Sequence, residues 1–443
     1  DGGALLLREV EAKTGLLAGV AEQFTDYRDP EQTEHSVGEL VSQRIIALAL
    51  GYEDLNDHDR LRFDPLLAVA AGKADPMGKR RRREQDRGKA LASSSTLNRL
   101  ELTPADADRE ARYKKIVADQ AGLDRQLVKH FIQSHARAPR ELWLDLDATD
   151  DPLHGHQEGR FFHGYYGHYC YLPLYITCGE HVLCARLRQS NIDAADGSVE
   201  ELTRIVAQLR AAWPKVRIII RGDSGFCREE IMAWCEAEGV EFVLGLAKNN
   251  RLNALSLRWR IEAQQAFLET CEPSRVFGEL KYRTLKTWSR GRRVVVKAEH
   301  LAKGANPRYV VTSLNPKEAD ARTLYEDLYC ARGDMENRIK EQQLELFADR
   351  LSAQTMRANQ LRLTLSTLAY TLLVALRNLA LQDTELERAT PGNIRTRLLK
   401  VGAQVRVSVR RVVVALSEAF PAQDIFVQAA RNLAVVPAYV GPG

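Results

Sequence analysis

The sequence predicts a mixed α/β core set between helical regions, and three observations carry that prediction. At Trp143 the apolar period changes from helical spacing to alternation, with Leu142, Leu144 and Leu146 facing one way and Asp145 and Asp147 the other. Further on, Ile218-Ile219-Ile220 is a β-branched run that stops at Arg221-Gly222-Asp223-Ser224-Gly225-Phe226, as suits a central strand covered on both faces. Helix-like stretches at 199–212 and 228–238 then alternate with strand-like ones at 216–222 and 240–246.

Residues 1–138 predict a helical unit. Ser36-Val37-Gly38-Glu39 has the form of a capping box, and Val37, Val41, Ile45 and Leu48 follow at helical spacing. Thr103-Pro104 predicts a second helix start, with Asp106 and Asp108 in its opening turn. Lys79-Arg80-Arg81-Arg82-Arg83 lies between them, and such a cationic run is either a solvated loop or one that contacts phosphates.

The core is expected in two parts, 139–252 and 306–382. In the first part the strand near Trp143 precedes a Gly- and aromatic-rich segment, Phe161 to Thr177, and then His181 to Gln189, read together as a pair of antiparallel strands. The helix at 199–212 ends at Pro214, and Gly239 closes the helix at 228–238. The order β-β-β-α-β-α-β is that of a ribonuclease-H-like core, a mixed five-stranded sheet with helices. Residues 253–305 read as a basic β-rich insertion: nine Lys/Arg against Glu279 and Glu299 between 275 and 303, interleaved with Tyr282 and Trp288. Cations among aromatics favour a nucleic-acid surface over a solvated hairpin. From Glu318 to Leu346 one helix is predicted, with Tyr329, Arg332, Glu336 and Lys340 along a single face. A long apolar helix follows at 352–381, and the 383–443 region is helical and basic, with six Lys/Arg and no acid between 391 and 413.

The 443 residues are too many for one compact core, and an apolar fraction of 45% supports folded units. Seven cysteines without a CxxC pair argue against a disulfide framework or a zinc ribbon and point to a reducing cytoplasm. The uncharged stretch Leu363–Leu376, flanked by Arg362 and Arg377, is short for a membrane span, and no membrane partner is expected. His154, His156, His163 and His168 lack the companions of a zinc site, and the Arg-Gly-Asp triplets at 221–223 and 332–334 fall in a strand end and a helix.

Asp147, Asp223 and Glu336 come from a first strand, a fourth strand and a late helix, which converge near the strand ends of such a sheet. Three carboxylates without Cys or His form a hard-oxygen set suited to Mg²⁺, or Mn²⁺ in its place. Two such ions could drive in-line phosphoryl displacement. Asp145 competes with Asp147 for the first position, and the adjacent Ala148-Thr149 favours Asp147.

On these residues the chain resembles the DDE transposases of the IS4-like superfamily, and within it the IS1380 family of bacterial insertion sequences. The matching motifs are Leu144-Asp145-Leu146-Asp147-Ala148-Thr149 with Asp150-Pro152-Leu153-His154-Gly155, then Arg221-Gly222-Asp223-Ser224-Gly225-Phe226, then Tyr329-x-x-Arg332-Gly333-x-x-Glu336-Asn337. The stretch Gly51 to Pro65 is also similar to that family. The resemblance implies cut-and-paste transposition at terminal inverted repeats of double-stranded DNA, with two metal ions per site, a homodimer on DNA, and a bacterial cytoplasm. Asp147, Asp223 and Glu336 would be the catalytic ligands, with Tyr329, Arg332 and Lys340 beside them; the lysine expected seven residues after the glutamate is replaced by Gln343. Trp288 is the candidate for contact with a flipped base, and Arg290, Arg292, Arg293 and the Lys79–Arg83 run are further DNA-binding candidates. The rivals are a ribonuclease-H-like nuclease without strand transfer and a catalytically silent DNA-binding protein.

Overall fold

The computed structural model describes residues 1–408 and 410–439. A nine-stranded sheet forms its centre. The Glu141–Ala148 strand lies in the middle, parallel to Arg217–Gly222 on one side and antiparallel to Leu174–Cys178 on the other. Leu174–Cys178 pairs in turn with His181–Arg186, and Arg217–Gly222 runs parallel to Glu241–Leu246. Ile218, Ile219 and Ile220 are all buried, which is why that strand carries a continuous apolar run instead of an alternation.

The sheet does not stop at five strands. Glu241–Leu246 pairs antiparallel with Arg308–Thr312, which pairs with Arg292–Leu301, which pairs with Ser274–Tyr282 at the edge. The expected insertion therefore supplies two helices, Asn250–Leu255 and Leu257–Thr270, and strands that extend the core sheet. The physical reason lies in Val294, Val295, Val296 and Ala298, all fully buried. A strand apolar on both faces cannot sit in a solvated hairpin and is stabilised by joining the sheet.

One sheet face, bearing Leu142, Leu144, Leu146, Ile218 and Ile220, packs against the helices Gln120–Gln133, Ser198–Ala212, Glu229–Glu238 and Leu257–Thr270. The opposite face, bearing Ile219, Val243, Val295 and Val310, packs against Leu324 and Tyr325 of the segment leading to Glu336. A larger core joins the early helices Ala4–Thr14, Leu16–Ala21 and Val37–Ala49 to the Met356–Ala380 helix and to Ile394, Leu398 and Phe426. Met356–Ala380 is long and apolar enough to cross a bilayer by length and composition, longer than the uncharged stretch alone suggests. In this fold 89% of its apolar window is buried inside the protein.

Local signals hold where the chain has an apolar face to bury. The Ser36 capping box forms, with Ser36 Oγ accepting from Glu39 N at 3.2 Å and Glu39 Oε2 from Ser36 N at 2.9 Å. Thr103-Pro104 does not start a helix: the Ser94–Glu101 helix has already ended, and residues 104–115 form turns and irregular chain. That stretch is polar and almost wholly exposed, so no packing stabilises a helix there. The Phe161–Thr177 segment also divides. Phe161–His163 and His168–Tyr171 form a hairpin in a separate small sheet with Asp151–Pro152, and only Leu174–Cys178 enters the main sheet. The single helix expected from Glu318 to Leu346 is a succession of short turns: Ala321–Thr323, a wide π turn at Leu324–Tyr329, the α-helix Gly333–Lys340 and a second π turn at Glu341–Glu345.

Candidate active site

Asp147 is the last acidic residue of the Glu141–Ala148 strand, and Asp223 directly follows Arg217–Gly222. The two strands are parallel, so both carboxylates emerge at one sheet edge, where open sheets place their chemistry. They line a common cleft of about 180 Å³ with Gly225, Phe226, His163 and Tyr166. Asp147 Oδ1 accepts from Ala148 N at 2.9 Å, and Asp223 Oδ1 accepts from Gly225 N at 2.8 Å, which fixes each carboxylate against its own turn. Gly245 on the next strand makes this possible, since a Cβ there would meet Tyr329 Oη at 2.5 Å and Ser224 N at 3.0 Å.

Glu336 reaches the same edge from the Gly333–Lys340 helix. Arg332, one turn earlier, bridges two of the carboxylates: its Nη1 donates to Asp147 Oδ2 at 2.9 Å and its Nη2 to Glu336 Oε1 at 3.1 Å. Burial pushes the Asp147 carboxyl up, Arg332 pulls it down, and Asp223 and Glu336 add to the rise, leaving it at about 6. Burial also raises the Tyr329 hydroxyl, with Arg332 opposing and Asp223 reinforcing the shift. Tyr329, Arg332, Glu336, Asp147 and Asp223 therefore form one electrostatic unit. Among the described residues no three His, Cys, Asp or Glu side chains form a ready-made metal cage. The donors nevertheless fit a hard divalent cation: the Asp147 and Glu336 carboxylates are held by a single guanidinium, and Asp223 adds its charge beside Asp147, which is protonated more readily than usual.

Asp145 has a different fate. Its carboxylate is taken on both oxygens by Arg221, with Nε to Oδ1 at 2.5 Å and Nη2 to Oδ2 at 2.8 Å, and both side chains are buried. Arg221 Nη1 also donates to the Leu328 carbonyl at 2.5 Å, tying the two central strands to the segment that carries Tyr329 and Arg332. Sequence reasoning missed Arg221, although the parallel register that places it opposite Asp145 follows from the two apolar runs. It missed Gln343 as well. In the place where the resemblance leads one to expect lysine, Gln343 Nε2 donates to the Asp150 carbonyl at 3.0 Å and to Asp151 Oδ1 at 2.8 Å. This position faces inward and clasps the loop after Asp147, while Lys340 is exposed on the helix of Glu336.

The DNA-binding candidates separate by exposure. Trp288 is buried, edge-on to Tyr282 at 5.6 Å, and presents no free face. Arg292 is buried against Glu229 and Glu236, Arg290 pairs with Glu236 at 2.7 Å, and Arg293 holds Glu279 together with the Leu314 and Ala319 carbonyls. Counting charge within 275–303 overlooked the glutamates that the Glu229–Glu238 helix brings across. In the early run, Arg81 pairs with Glu34 at 2.8 Å and Arg82 donates to the Glu31 carbonyl at 2.6 Å, whereas Lys79, Arg80 and Arg83 are exposed. In the basic tail, Arg397 pairs with Glu385 and Lys400 with Asp1, while Arg406 and Arg411 are exposed on a projecting hairpin, Ala403–Val407 with Val412–Leu416.

Paired strand carboxylates at one sheet edge thus face a helical segment that carries Arg332 and Glu336. Residues 1–438 match the family described as Transposase DDE domain group 1, and the chain belongs to that family. Among solved structures, the cryo-EM synaptic complex of piggyBac transposase with hairpin DNA is similar at a TM-score of 0.41 and 12% identity, covering 88% of this chain and 79% of that one. No curated protein matches the chain.

Proposed function

We propose that the chain catalyses cut-and-paste DNA transposition through Asp147, Asp223 and Glu336, acting on terminal inverted repeats and on target DNA. The observation that carries this is the meeting of three carboxylates, from two parallel strands and a distant helix, around Arg332. The spatial order of His181–Arg186, Leu174–Cys178, Glu141–Ala148, Arg217–Gly222 and Glu241–Leu246, which is 3-2-1-4-5 in chain order, supports a ribonuclease-H-like core within the larger sheet. The IS4-like motifs, and those of the IS1380 family within them, support the same assignment.

Asp147 and Asp223 would hold Mg²⁺, or Mn²⁺ in its place, from the strand side, and Glu336 would close the set from the helix. Two such ions supply Lewis acidity that activates a water or 3′-hydroxyl and stabilises the leaving oxygen. For the carboxylates to take this role, Arg332 releases Asp147 and Glu336, and its planar fork is then free to hold a phosphate oxygen. Gln343 and Arg221 keep the glutamate segment in place while this exchange occurs. Exposed Lys340, Lys79, Arg80 and Arg83 suit the flanking duplex. The helical 1–138 unit and the 383–443 region are the candidates for reading the ends, in a homodimer that brings two ends together in the bacterial cytoplasm.

The test is to incubate the protein with linear DNA bearing the element ends, a supercoiled target and Mg²⁺. Joined products are expected, and Asp223→Ala is expected to bind the ends without cutting them. Cuts without joining would mean a nuclease, and binding alone a silent DNA-binding protein. Undiminished cutting by Asp223→Ala would overturn the site itself.

A further inference from the structure

The Leu257–Thr270 helix is held on one side and bare on the other. Trp259 and Ala263 are buried against the edge of the main sheet, where Gly278 leaves room for the indole: a Cβ there would meet Trp259 Cε2 at 2.0 Å. Phe267 packs on His300 at 5.0 Å, and Ser274 Oγ donates to the Ala263 carbonyl, so the helix is not free to turn its outer face inward. That outer face carries Leu257, Ile261, Gln264 and Leu268, all exposed, with Leu268 at 67%. Leu255, exposed at the end of the preceding helix, extends the patch.

The intervals along this face are four, three and four residues. That is the spacing of a coiled-coil seam, and it keeps the four side chains within about 40° of one another around the helix. Single exposed leucines are ordinary, but a row of them at seam spacing on an anchored helix is a surface that suits another helix. The charges beside the seam say which helix. Arg258 flanks it at the N-terminal end, with its guanidinium over the Trp259 ring at 3.9 Å, and Glu262 and Glu269 flank the same side further on. This side is therefore positive at its start and negative at its end. A second copy running antiparallel sets Arg258 of each chain beside Glu269 of the other and opposes the two helix dipoles favourably. We propose that this helix is a twofold contact between two copies of the chain, paired antiparallel with Leu257 against Leu268 of the partner subunit; the proposal rests on the homodimer of the proposed function and gives it a face. Gln264 puts one polar residue in the seam, and the helix is about 21 Å long. The contact is accordingly weak in free protein and is reinforced when two DNA ends hold the copies together.

The test uses the full chain with Cys271→Ser and Cys330→Ser, which removes the exposed native thiols. Proteins carrying Leu257→Cys and Leu268→Cys in that background are mixed and mildly oxidised, both free and on element-end DNA. The mixture is expected to form a disulfide-linked dimer, and neither protein alone should, because like positions lie about 16 Å apart in the antiparallel pair. In sedimentation equilibrium Ile261→Glu should raise the dissociation constant of self-association by roughly 10-fold or more, with an unchanged melting temperature. Glu269→Arg should also weaken the pair, and adding Arg258→Glu should restore it, a rescue that a role within one chain does not produce. Equal cross-linking within either single protein, or self-association indifferent to Ile261→Glu, would put the dimer contact elsewhere and overturn this face. A chain that stays monomeric and unlinked with and without DNA would overturn it as well. DNA joining without the cross-link would leave the transposase assignment standing and remove the face, whereas a linked dimer that never cuts DNA would do the reverse.

Discussion

Asp145 and Asp147 lie two residues apart on one face of one strand, and each holds an arginine. Asp145 is buried with Arg221, a partner on the adjacent strand whose remaining Nη1 hydrogen bond also stays inside the protein. Asp147 shares Arg332 with Glu336 at the mouth of a cleft, and Arg332 comes from a short helical segment beyond the sheet. Desolvation explains the difference in role. A buried pair cannot separate without stranding a charge, so it can only hold structure. A pair at a cleft can exchange its partner for a cation or a phosphate, so it can do chemistry.

The largest contrast should therefore appear in activity. On the proposed assignment, Asp147→Asn would take a metal-holding carboxylate from the cleft and should lower Mg²⁺-dependent cleavage by more than about 100-fold, more than the loss of a residue that only orients a ligand costs, with the melting temperature unchanged or higher because a crowded carboxylate is gone. A cleavage rate near that of the unsubstituted protein would break the comparison. Stability should show the reverse. Arg221→Ala leaves Asp145 buried without its partner and should cost about 3–5 kcal/mol in urea denaturation, whereas the double variant Arg221→Met with Asp145→Leu should recover most of that loss. An Arg221→Ala protein as stable as the parent would mean that this pair is not buried in solution.

The same contrast sorts the cations that composition alone marks as DNA-facing. Replacing exposed Lys79, Arg80 and Arg83 by alanine should reduce the slope of log affinity against log salt by about 0.9 for each that meets a phosphate, with no change in stability. Arg292→Ala should leave the slope unaltered and lower stability, since it uncouples Glu229 and Glu236. Salt titrations of binding to duplex DNA would show it, and a slope change confined to Arg292→Ala would invert the assignment.

The strand at 141–148 was legible by its apolar alternation, and the strand before Asp223 and the helices at 199–212 and 229–238 by a clear apolar pattern and a Pro or Gly stop. Asp147 and Asp223 stood out as candidates because each lies where an apolar strand run ends, and Glu336 only through the order of the three motifs. What was not legible depends on pairing at long range. Nothing local says that residues 274–301 join the core sheet, or that Glu229 and Glu236 reach across to neutralise Arg292. Trp288 reads as a surface aromatic among cations and is buried against Tyr282. The hairpin at 161–171 reads as strand by composition, and only its placement over the cleft shows its exposed rings as a surface.

Asp151 extends the comparison to a third carboxyl, one with no arginine at all. It is fully buried; Gln343 serves its Oδ1, and Oδ2 has no hydrogen-bond partner. Burial pushes this carboxyl up to about 8, with Gln343 opposing and Asp349 and Asp150 adding to the rise. A folded value above the unfolded 3.8 means that the folded state binds the proton more tightly. Its contribution to stability is then fully present below about pH 4 and is lost as pH rises through about 8. Each pH unit in that window weakens the fold by up to about 1.4 kcal/mol before local relaxation. Asp151→Asn keeps an acceptor for Gln343 but cannot ionise, so it should flatten this decline and raise the melting temperature at pH 8 relative to the parent. Parallel pH profiles for the two proteins would show that Asp151 is paired in solution. The clasp from Gln343 to the loop after Asp147 would then bear on an ionised carboxylate, and the difference between this carboxyl and its arginine-held neighbours would disappear.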